Sequence, residues 1–310
     1  MRLVRFHSGN QIHLGVHQDG SVWDLTLTAS DLLHIEVSSP TWLMPDGRLP
    51  MVSGLVTHAR AKGFAPGSGD IPLRLDAPLR DVPKLLALAG NYRKHVLESG
   101  FEDPFGRGDI APQVFMKPPS TTLNSHLAPI DLRSNNVFLD WEVELAVVIG
   151  KGGRDIPRDR ALSHVFGYSI VNDISERKFN ARMQGRNVRE FDPFFDWLMG
   201  KWFDGSAPLG PELVTADEIE DPHNLDIRLR LNGELMQDSN TSYMIFDVPT
   251  TIAYISRVVT LEPGDVIAMG TPEGVGMAKG IALKPGDRLS AEIQGIGTLE
   301  NVVRNGGIAQ

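Results

Sequence analysis

The chain has 310 residues, enough for one large domain or for one domain with a small appendage. Its 39 acidic residues outnumber its 30 basic residues and give a net charge of −9, which disfavours binding to nucleic acid or to an anionic membrane surface. The lack of cysteine excludes disulfides, thiolate nucleophiles and zinc–thiolate sites.

No membrane or export signal is evident in the sequence. Residues 1–7 lack the apolar stretch of a signal peptide, and no run of about 18 apolar residues occurs. We therefore expect a cytoplasmic protein that does not bind a membrane.

The first 80 residues are predicted to form a small α+β domain. Residues 11–16 and 21–27 alternate in polarity and flank Asp19-Gly20, a typical hairpin turn. A helix is predicted over 51–62, and the Gly/Pro-rich stretch 63–70 is typical of a linker. The predicted domains are therefore 1–80 and 81–310.

Beyond residue 80 the strand signals dominate. Predicted strands cover 85–89, 114–117, 145–149, 168–171, 225–231, 265–269, 288–293 and 298–303. A helix is predicted over 248–259, with Pro249 in its first turn. Strands and helices do not alternate regularly, which argues against a doubly wound sheet or a TIM barrel. We predict a mixed, mainly β fold with a β-sandwich or β-roll core.

Three acids at the ends of apolar strands are the first candidates for chemistry. Glu142 and Glu144 are two residues apart at the start of the apolar run 145–149, so both project to one face of a strand. Asp173 ends another apolar run. Like charges this close call for a cation, and oxygen ligands favour Mg²⁺, Mn²⁺ or Ca²⁺. A solvated strand face also carries such pairs, so both interpretations stay open on these residues alone.

Four segments together resemble the fumarylacetoacetate hydrolase family over about residues 84–305. In chain order they are GNYRKHVLE (90–98), DWEVEL (140–145), NDISER (172–177) and GTPEGVG (270–276). The resemblance implies a homodimeric β-roll fold and a Mg²⁺ or Mn²⁺ ion held by Glu142, Glu144 and Asp173. It also implies a small 2-oxo or β-diketo acid as the substrate of a hydrolase, decarboxylase, isomerase or dehydratase.

His95 and Glu98 form a candidate water-activating pair. Their i, i+3 spacing in a predicted helix over 92–99 places both side chains on one face, where the carboxylate can orient the imidazole. The alternative is an exposed surface pair of little consequence. In hydrolytic members of the family the matching pair activates the attacking water.

Further candidates surround this constellation. The resemblance places a lysine at Lys201 to stabilise an enolate, and its alternative is a surface cation–π contact. Arg177 is a candidate clamp for a substrate carboxylate, or else forms a structural salt bridge. Three residues after this arginine the family often has glutamine, whereas this chain has Asn180, whose shorter amide weakens the expected substrate contact.

The loop after the predicted strand 265–269 supplies two more substrate-binding candidates. Thr271 and Gly274 could bind a carboxylate through a hydroxyl and backbone N–H groups, or could belong to a structural turn. Lys117 resembles a family position near the site and is assigned to substrate binding without a defined role.

The sequence favours a metal-dependent hydrolase that cleaves a C–C bond of an acylpyruvate-like β-diketo acid. The metal and Lys201 would stabilise the pyruvate enolate as it leaves. The alternatives are a decarboxylase of oxaloacetate, an isomerase or decarboxylase of an unsaturated oxo-diacid, and a non-catalytic ligand-binding homologue.

Overall fold

The computed structural model describes residues 1–44, 48–65, 73–100, 102, 110–133, 137–179 and 185–306. Its strands are β1 (Arg2–Ser8), β2 (Gln11–Gln18), β3 (Ser21–Asp24), β4 (Leu75–Asp76), β5 (Leu85–Ala89), β6 (Gln113–Lys117), β7 (Leu123–Asn124), β8 (Pro129–Arg133), β9 (Leu139–Asp140), β10 (Val143–Ile149), β11 (Val165–Asn172), β12 (Ser175–Glu176), β13 (Ala207–Thr215), β14 (Asp226–Leu231), β15 (Glu234–Asn240), β16 (Val266–Ala268), β17 (Arg288–Ile293) and β18 (Gly297–Gly306).

The helices are short and few. The α-helices are α1 (Leu25–Leu33), α2 (Val52–Lys62), α3 (Arg93–Glu98), α4 (Pro119–Thr122), α5 (Asp192–Met199), α6 (Val248–Val258) and α7 (Gly276–Lys279). Turns of 3₁₀-helix cover Pro40–Leu43, Leu49–Met51, Arg158–His164, Ala216–Glu218 and Thr241–Tyr243. No helix among the described residues is long and apolar enough to cross a membrane.

One large sheet runs through both halves of the chain. Its strand order is β3-β2-β1-β13-β11-β10-β16-β5-β6, with β4 paired to β1 and β7 paired to β13. The antiparallel pairing of β1 with β13 joins the N-terminal hairpins to the rest of the sheet. A smaller sheet has the order β15-β14-β17-β18-β8, and β12 pairs with β9. The mixed, mainly β prediction is confirmed, and the domain boundary near residue 80 stays a prediction.

Strand β10 separates two hydrophobic cores. All seven of its residues are buried because neighbouring strands flank it on both sides. Leu145 and Val147 point into the core shared with the smaller sheet, whereas Ala146 and Val148 point into the core shared with the N-terminal unit. The period of two along a strand therefore places Glu144 on the same face as Ala146, at the end of the second core.

Most predicted elements are found close to their predicted bounds, and two differences have clear causes. The strand predicted over 21–27 ends at Asp24 because the Asp24 carboxylate accepts a hydrogen bond from the Leu27 N–H and caps α1. Strand β13 was not predicted, since its Pro-Leu-Gly-Pro stretch is typical of a loop. The predicted linker lies partly outside the described residues, at 66–70.

Candidate active site

Three carboxylates meet where β10 begins and β11 ends. Glu142 precedes β10, Glu144 is its second residue, and Asp173 directly follows β11. The antiparallel register pairs Val143 with Asn172, and the Asp173 N–H donates to the Glu142 carbonyl oxygen (2.8 Å). One carboxylate oxygen from each acid lies within 4.8 Å of the others, and all three side chains are buried. The fold thus brings the three predicted metal ligands together.

Glu142 is held between two cations. Its carboxylate accepts hydrogen bonds from the Arg177 guanidinium and from Lys201 Nζ, the latter at 2.6 Å. Burial alone would raise the pKa of Glu142, but Arg177 and then Lys201 outweigh it and hold that pKa well below its usual value. Glu142 is therefore a permanent anion at this site.

Glu144 has the opposite environment. Its carboxylate accepts a hydrogen bond from the Gly270 N–H at 2.7 Å. Burial, and then the charges of Asp173 and Glu142, raise the pKa of Glu144 well above its usual value. Among the described residues no cation is bonded to Glu144, and the nearby charge of Lys201 does not outweigh its burial.

Lys201 bridges two of the acids. Its Nζ donates to Glu142 and to Asp173, both at 2.6 Å, and lies over the rings of Phe115 and Trp197. Burial lowers the pKa of Lys201, but the two carboxylates outweigh burial and leave it above the usual value. The cation–π contacts predicted for Lys201 are therefore made, but by a buried amine that also binds two of the acids, and its role toward an enolate stays a prediction.

Lys117 is a second buried amine at the site. Its Nζ donates to Asp173 Oδ1 at 2.5 Å and to the Ile174 carbonyl oxygen at 3.3 Å. Burial is the main cause that lowers the pKa of Lys117, and the nearby Lys201 charge adds to it. Asp173 thus accepts from one amine on each carboxylate oxygen.

Arg177 binds protein carboxylates in this structure. It donates from Nε to Asp140 Oδ2 at 2.8 Å and from Nη2 to Glu142. These are the structural salt bridges that the sequence left open as the alternative. A contact between Arg177 and a substrate stays a prediction.

Acids outnumber fixed cations in this network. The acids are Asp140, Glu142, Glu144 and Asp173, and the cations bonded to them are Lys117, Arg177 and Lys201. The donor set consists of hard carboxylate oxygens, as Mg²⁺ and Mn²⁺ prefer. The residues therefore fit a divalent cation at the three acids.

Helix α3 carries the predicted base. His95 Nδ1 lies 2.9 Å from Glu98 Oε1, and the charge of His95 acts on Glu142. Both Glu98 oxygens also accept from the Gly274 N–H, at 3.1 and 2.8 Å. The His–Glu pair is therefore not an exposed surface pair, because both side chains are largely buried and Glu98 is fixed to the 270–276 loop.

The loop residues already have protein partners. Thr271 Oγ1 donates to the Val143 carbonyl oxygen at 2.9 Å and accepts from Gln237 Nε2 at 2.9 Å. Gly274 has a φ of +100°, and a Cβ there would lie 2.1 Å from the Met236 carbonyl oxygen. Substrate binding by Thr271 and Gly274 stays a prediction, and Asn180 lies outside the described residues.

Several residues at the site were missed by sequence reasoning. Asp140 accepts from the Gly276 and Met277 N–H groups besides Arg177, and so ties α7 to the acids. Gln237 links β15 to the loop through Thr271. Asp140 stands two residues before Glu142, which was an available signal, whereas nothing in the sequence marks Gln237.

A family model matches this chain, and curated proteins with different activities are similar to it. The model described as "Fumarylacetoacetate (FAA) hydrolase C-terminal" matches residues 84–304. A 2,4-didehydro-3-deoxy-L-rhamnonate hydrolase of Sphingomonas sp. (strain SKA58) is 40% identical over 265 residues, 82% of this chain and 87% of that protein. A mitochondrial oxaloacetate tautomerase, fahd2, of Xenopus laevis is 40% identical over 233 residues, 74% of this chain and 68% of that protein.

Among solved structures, maleylpyruvate hydrolase from Sphingobium sp. SYK-6, in complex with a manganese(II) ion and pyruvate, has the same fold. It superimposes with a TM-score of 0.73 at 29% identity and covers 99% of this chain and 100% of its own. The manganese of that neighbour and the buried acids of this chain together indicate a divalent-metal site.

Proposed function

This chain belongs to the fumarylacetoacetate hydrolase family of enzymes, and we propose that it is a metal-dependent hydrolase of an acylpyruvate-like β-diketo acid. The observation that carries the proposal is the pair of His95 and Glu98, held by the Gly274 N–H, in the same chain as a buried three-acid site whose Glu142 lies within electrostatic range of His95. A site that only binds a ligand has no need of such a base. The product would be pyruvate and a carboxylic acid.

We propose Glu142, Glu144 and Asp173 as the ligands of Mg²⁺ or Mn²⁺. When bound, the cation supplies Lewis-acid stabilisation for negative charge that develops on a substrate oxygen. Without a metal ion the acids of the network exceed the bonded cations by one charge. A bound divalent cation would therefore make the net charge of the site positive. A positive site of this kind attracts an anionic oxo acid.

His95 is proposed to take the proton from water. Its Nδ1 faces Glu98, so Nε2 is the ring nitrogen left to act on water. Glu98 stabilises the imidazolium that results, and the Gly274 N–H holds the Glu98 carboxylate in place. The hydroxide then attacks the acyl carbonyl carbon.

Lys201 is proposed to stabilise the enolate. Cleavage of the C–C bond leaves a pyruvate enolate, and the Lys201 ammonium, which donates to Glu142 and Asp173, would supply a positive charge to it. Substrate binding is proposed for Arg177, Asn180, Thr271, Gly274 and Lys117. Arg177 would have to share its guanidinium between Glu142 and the substrate.

The rhamnonate-derived substrate of the 40% identical hydrolase supports this substrate class. Its name places oxidised carbons at positions 2 and 4 and a deoxy carbon between them, which is the 2,4-dioxo pattern of an acylpyruvate. We therefore propose an acylpyruvate with a small acyl group.

A second candidate is an oxaloacetate-directed reaction, either decarboxylation or tautomerisation. The 40% identity to an oxaloacetate tautomerase favours it. Decarboxylation would release CO₂ and leave the same pyruvate enolate without an activated water, whereas tautomerisation moves a proton between C3 and the C2 oxygen of oxaloacetate and releases no pyruvate. His95→Ala separates hydrolysis from decarboxylation, because hydrolysis depends on the water-activating base and decarboxylation does not.

The test measures pyruvate release from a panel of acylpyruvates and from oxaloacetate, with Mn²⁺, Mg²⁺ or EDTA. We expect metal-dependent cleavage of an acylpyruvate that falls at least about a hundredfold in His95→Ala. Turnover of oxaloacetate alone, unchanged in His95→Ala, would replace the hydrolase with the second candidate. Turnover that persists in EDTA would contradict the metal site.

We also propose that the enzyme is a homodimer. Large apolar side chains are exposed on and around α5, namely Met116, Phe191, Phe194, Phe195, Met199 and Trp202. Apolar surface of this kind is typical of a protein interface. Sedimentation velocity of the purified protein tests it, and a monomer at micromolar concentration would reject it.

A further inference from the structure

Gln237 of β15 is fully buried and uses both ends of its side-chain amide. Its Oε1 accepts from the Val143 N–H at 3.2 Å, and its Nε2 donates to Thr271 Oγ1 at 2.9 Å and to the Pro272 carbonyl oxygen at 2.8 Å. Val143 presents a donor and Pro272 an acceptor, so only one orientation of the amide satisfies both. Gln237 therefore joins the start of β10 to the 270–276 loop.

The edge of β10 at Val143 lies beyond the end of β16. Toward the start of β10, the last backbone bond between the two segments runs from the Met269 N–H to the Leu145 carbonyl oxygen, at 2.9 Å. At Gly270 the chain turns with a φ of +84°. The backbone groups of Val143 on this edge thus need partners other than a strand, because a buried N–H or C=O without one is costly.

Two side chains provide those partners. Gln237 accepts from the Val143 N–H, and Thr271 Oγ1 donates to the Val143 carbonyl oxygen at 2.9 Å. Val143 stands between Glu142 and Glu144, so each of its two peptide groups is shared with one of these acids. The two side chains therefore fix the backbone from which both carboxylates project.

The same arrangement includes the third acid. The peptide group between Glu142 and Val143 is held from both sides, since its oxygen accepts from the Asp173 N–H at 2.8 Å and its N–H donates to Gln237. A shift of this peptide group would change the position of Glu142 relative to Asp173.

We propose that Gln237 is a positioning residue of the metal site, which sets the spacing of the Glu142 and Glu144 carboxylates by holding Val143 against the 270–276 loop. The loop contributes directly as well, because its Gly270 N–H donates to Glu144. Residues that orient metal ligands from outside commonly contribute tenfold or more to metal affinity. The inference rests on the proposed metal site and adds a residue to it.

The experiment compares Mn²⁺ binding to the wild-type protein and to Gln237→Met by titration calorimetry, with Mn²⁺ alone as the probe. Methionine is similar in length but forms none of the three hydrogen bonds. We expect the Kd for Mn²⁺ to rise about tenfold in the folded variant. The melting temperature of the metal-free variant should also fall, because the Val143 N–H is left buried without a partner.

Thr271→Val tests the other half of the arrangement. It removes the hydroxyl that bonds the Val143 carbonyl oxygen, so the Kd for Mn²⁺ should again rise. Because Gln237 and Thr271 bond each other and the same residue, the double variant should lose less affinity than the product of the two single losses. A double variant that shows the full product would contradict this coupling.

Asn301→Leu is the matched control. Asn301 is another buried amide that bonds backbone, donating from Nδ2 to the Ser125 and Ala128 carbonyl oxygens, at 3.0 and 2.8 Å. Its replacement should lower the melting temperature and leave the Kd for Mn²⁺ unchanged.

A Gln237→Met protein that melts lower but binds Mn²⁺ as the wild type does, as expected of Asn301→Leu, would show a merely structural role and overturn the inference. Glu144→Gln separates this failure from that of the proposed function. Mn²⁺ binding that depends on Glu144 but not on Gln237 overturns the inference alone. A wild-type protein that binds Mn²⁺ no better than Glu144→Gln has no three-acid metal site, and both proposals then fall.

Discussion

His13 and Asp24 form a buried polar pair in the N-terminal unit, and the acids at the end of β10 form a second buried polar cluster. In the first, His13 Nδ1 lies 2.6 Å from Asp24 Oδ2, while the other oxygen of Asp24 caps α1. In the second, the acids exceed the bonded cations, and none of the cations that the structure describes is bonded to Glu144. Buried polar groups that serve only the fold are satisfied by their protein neighbours. The three-acid site instead keeps an excess of negative charge, which a bound metal ion would neutralise.

Of the changes that test this difference between the two clusters, replacement of Glu144 by glutamine should have the largest effect on activity. The change removes one proposed metal ligand, so we expect a loss of about a thousandfold or more in kcat/KM, measured with saturating Mn²⁺. The metal-free variant should be at least as stable as the wild type in urea, because a buried carboxylate without a counter-charge is removed.

Glu212→Gln is the matched control for that variant. Glu212 is also a buried glutamate, but it contacts Arg2 and His17 in the N-terminal unit. Equal losses of activity in both variants would contradict the distinction between the two clusters.

Replacement of Asp24 by alanine should have the opposite effect, a loss of stability without a change in metal binding. It removes the cap of α1 and leaves His13 buried without its partner, so we expect a loss of about 2–3 kcal/mol in the free energy of unfolding. The Kd for Mn²⁺ should not change. Asp24→Asn retains a cap acceptor and should lose less stability, and a change in metal affinity in either variant would contradict the prediction.

The pH dependence of stability should give the smallest effect. The raised pKa of Glu144 stabilises the metal-free fold fully below the pKa of an unfolded glutamate, about 4.3, and this contribution is lost as the pH rises toward the folded pKa. Urea unfolding in EDTA from pH 4 upward should therefore show a decline in stability that is absent in Glu144→Gln. Parallel profiles for the two proteins would show that Glu144 is not the cause.

The sequence predicted the parts of the site that depend on local spacing. Glu142 and Glu144 share a strand face and Asp173 ends an apolar run, so alternation and strand ends were sufficient to predict them. Lys117 and Lys201 converge on Asp173 from β6 and from the segment after α5, and no local pattern encodes that meeting. The pairing of β1 with β13 likewise cannot be predicted from a local pattern, because it joins residues more than 200 positions apart.

Gly274 connects three parts of the molecule through one residue without a side chain. Its N–H donates to Glu98, its carbonyl oxygen accepts from the Trp141 indole at 3.2 Å, and its Cα lies against the Met236 carbonyl oxygen. Libraries made to test the acyl-group preference of the proposed hydrolase should therefore keep position 274 fixed. Even alanine would push the loop off β15 and move the Glu98 carboxylate with it, so diversity is better placed on the exposed side chains around α5.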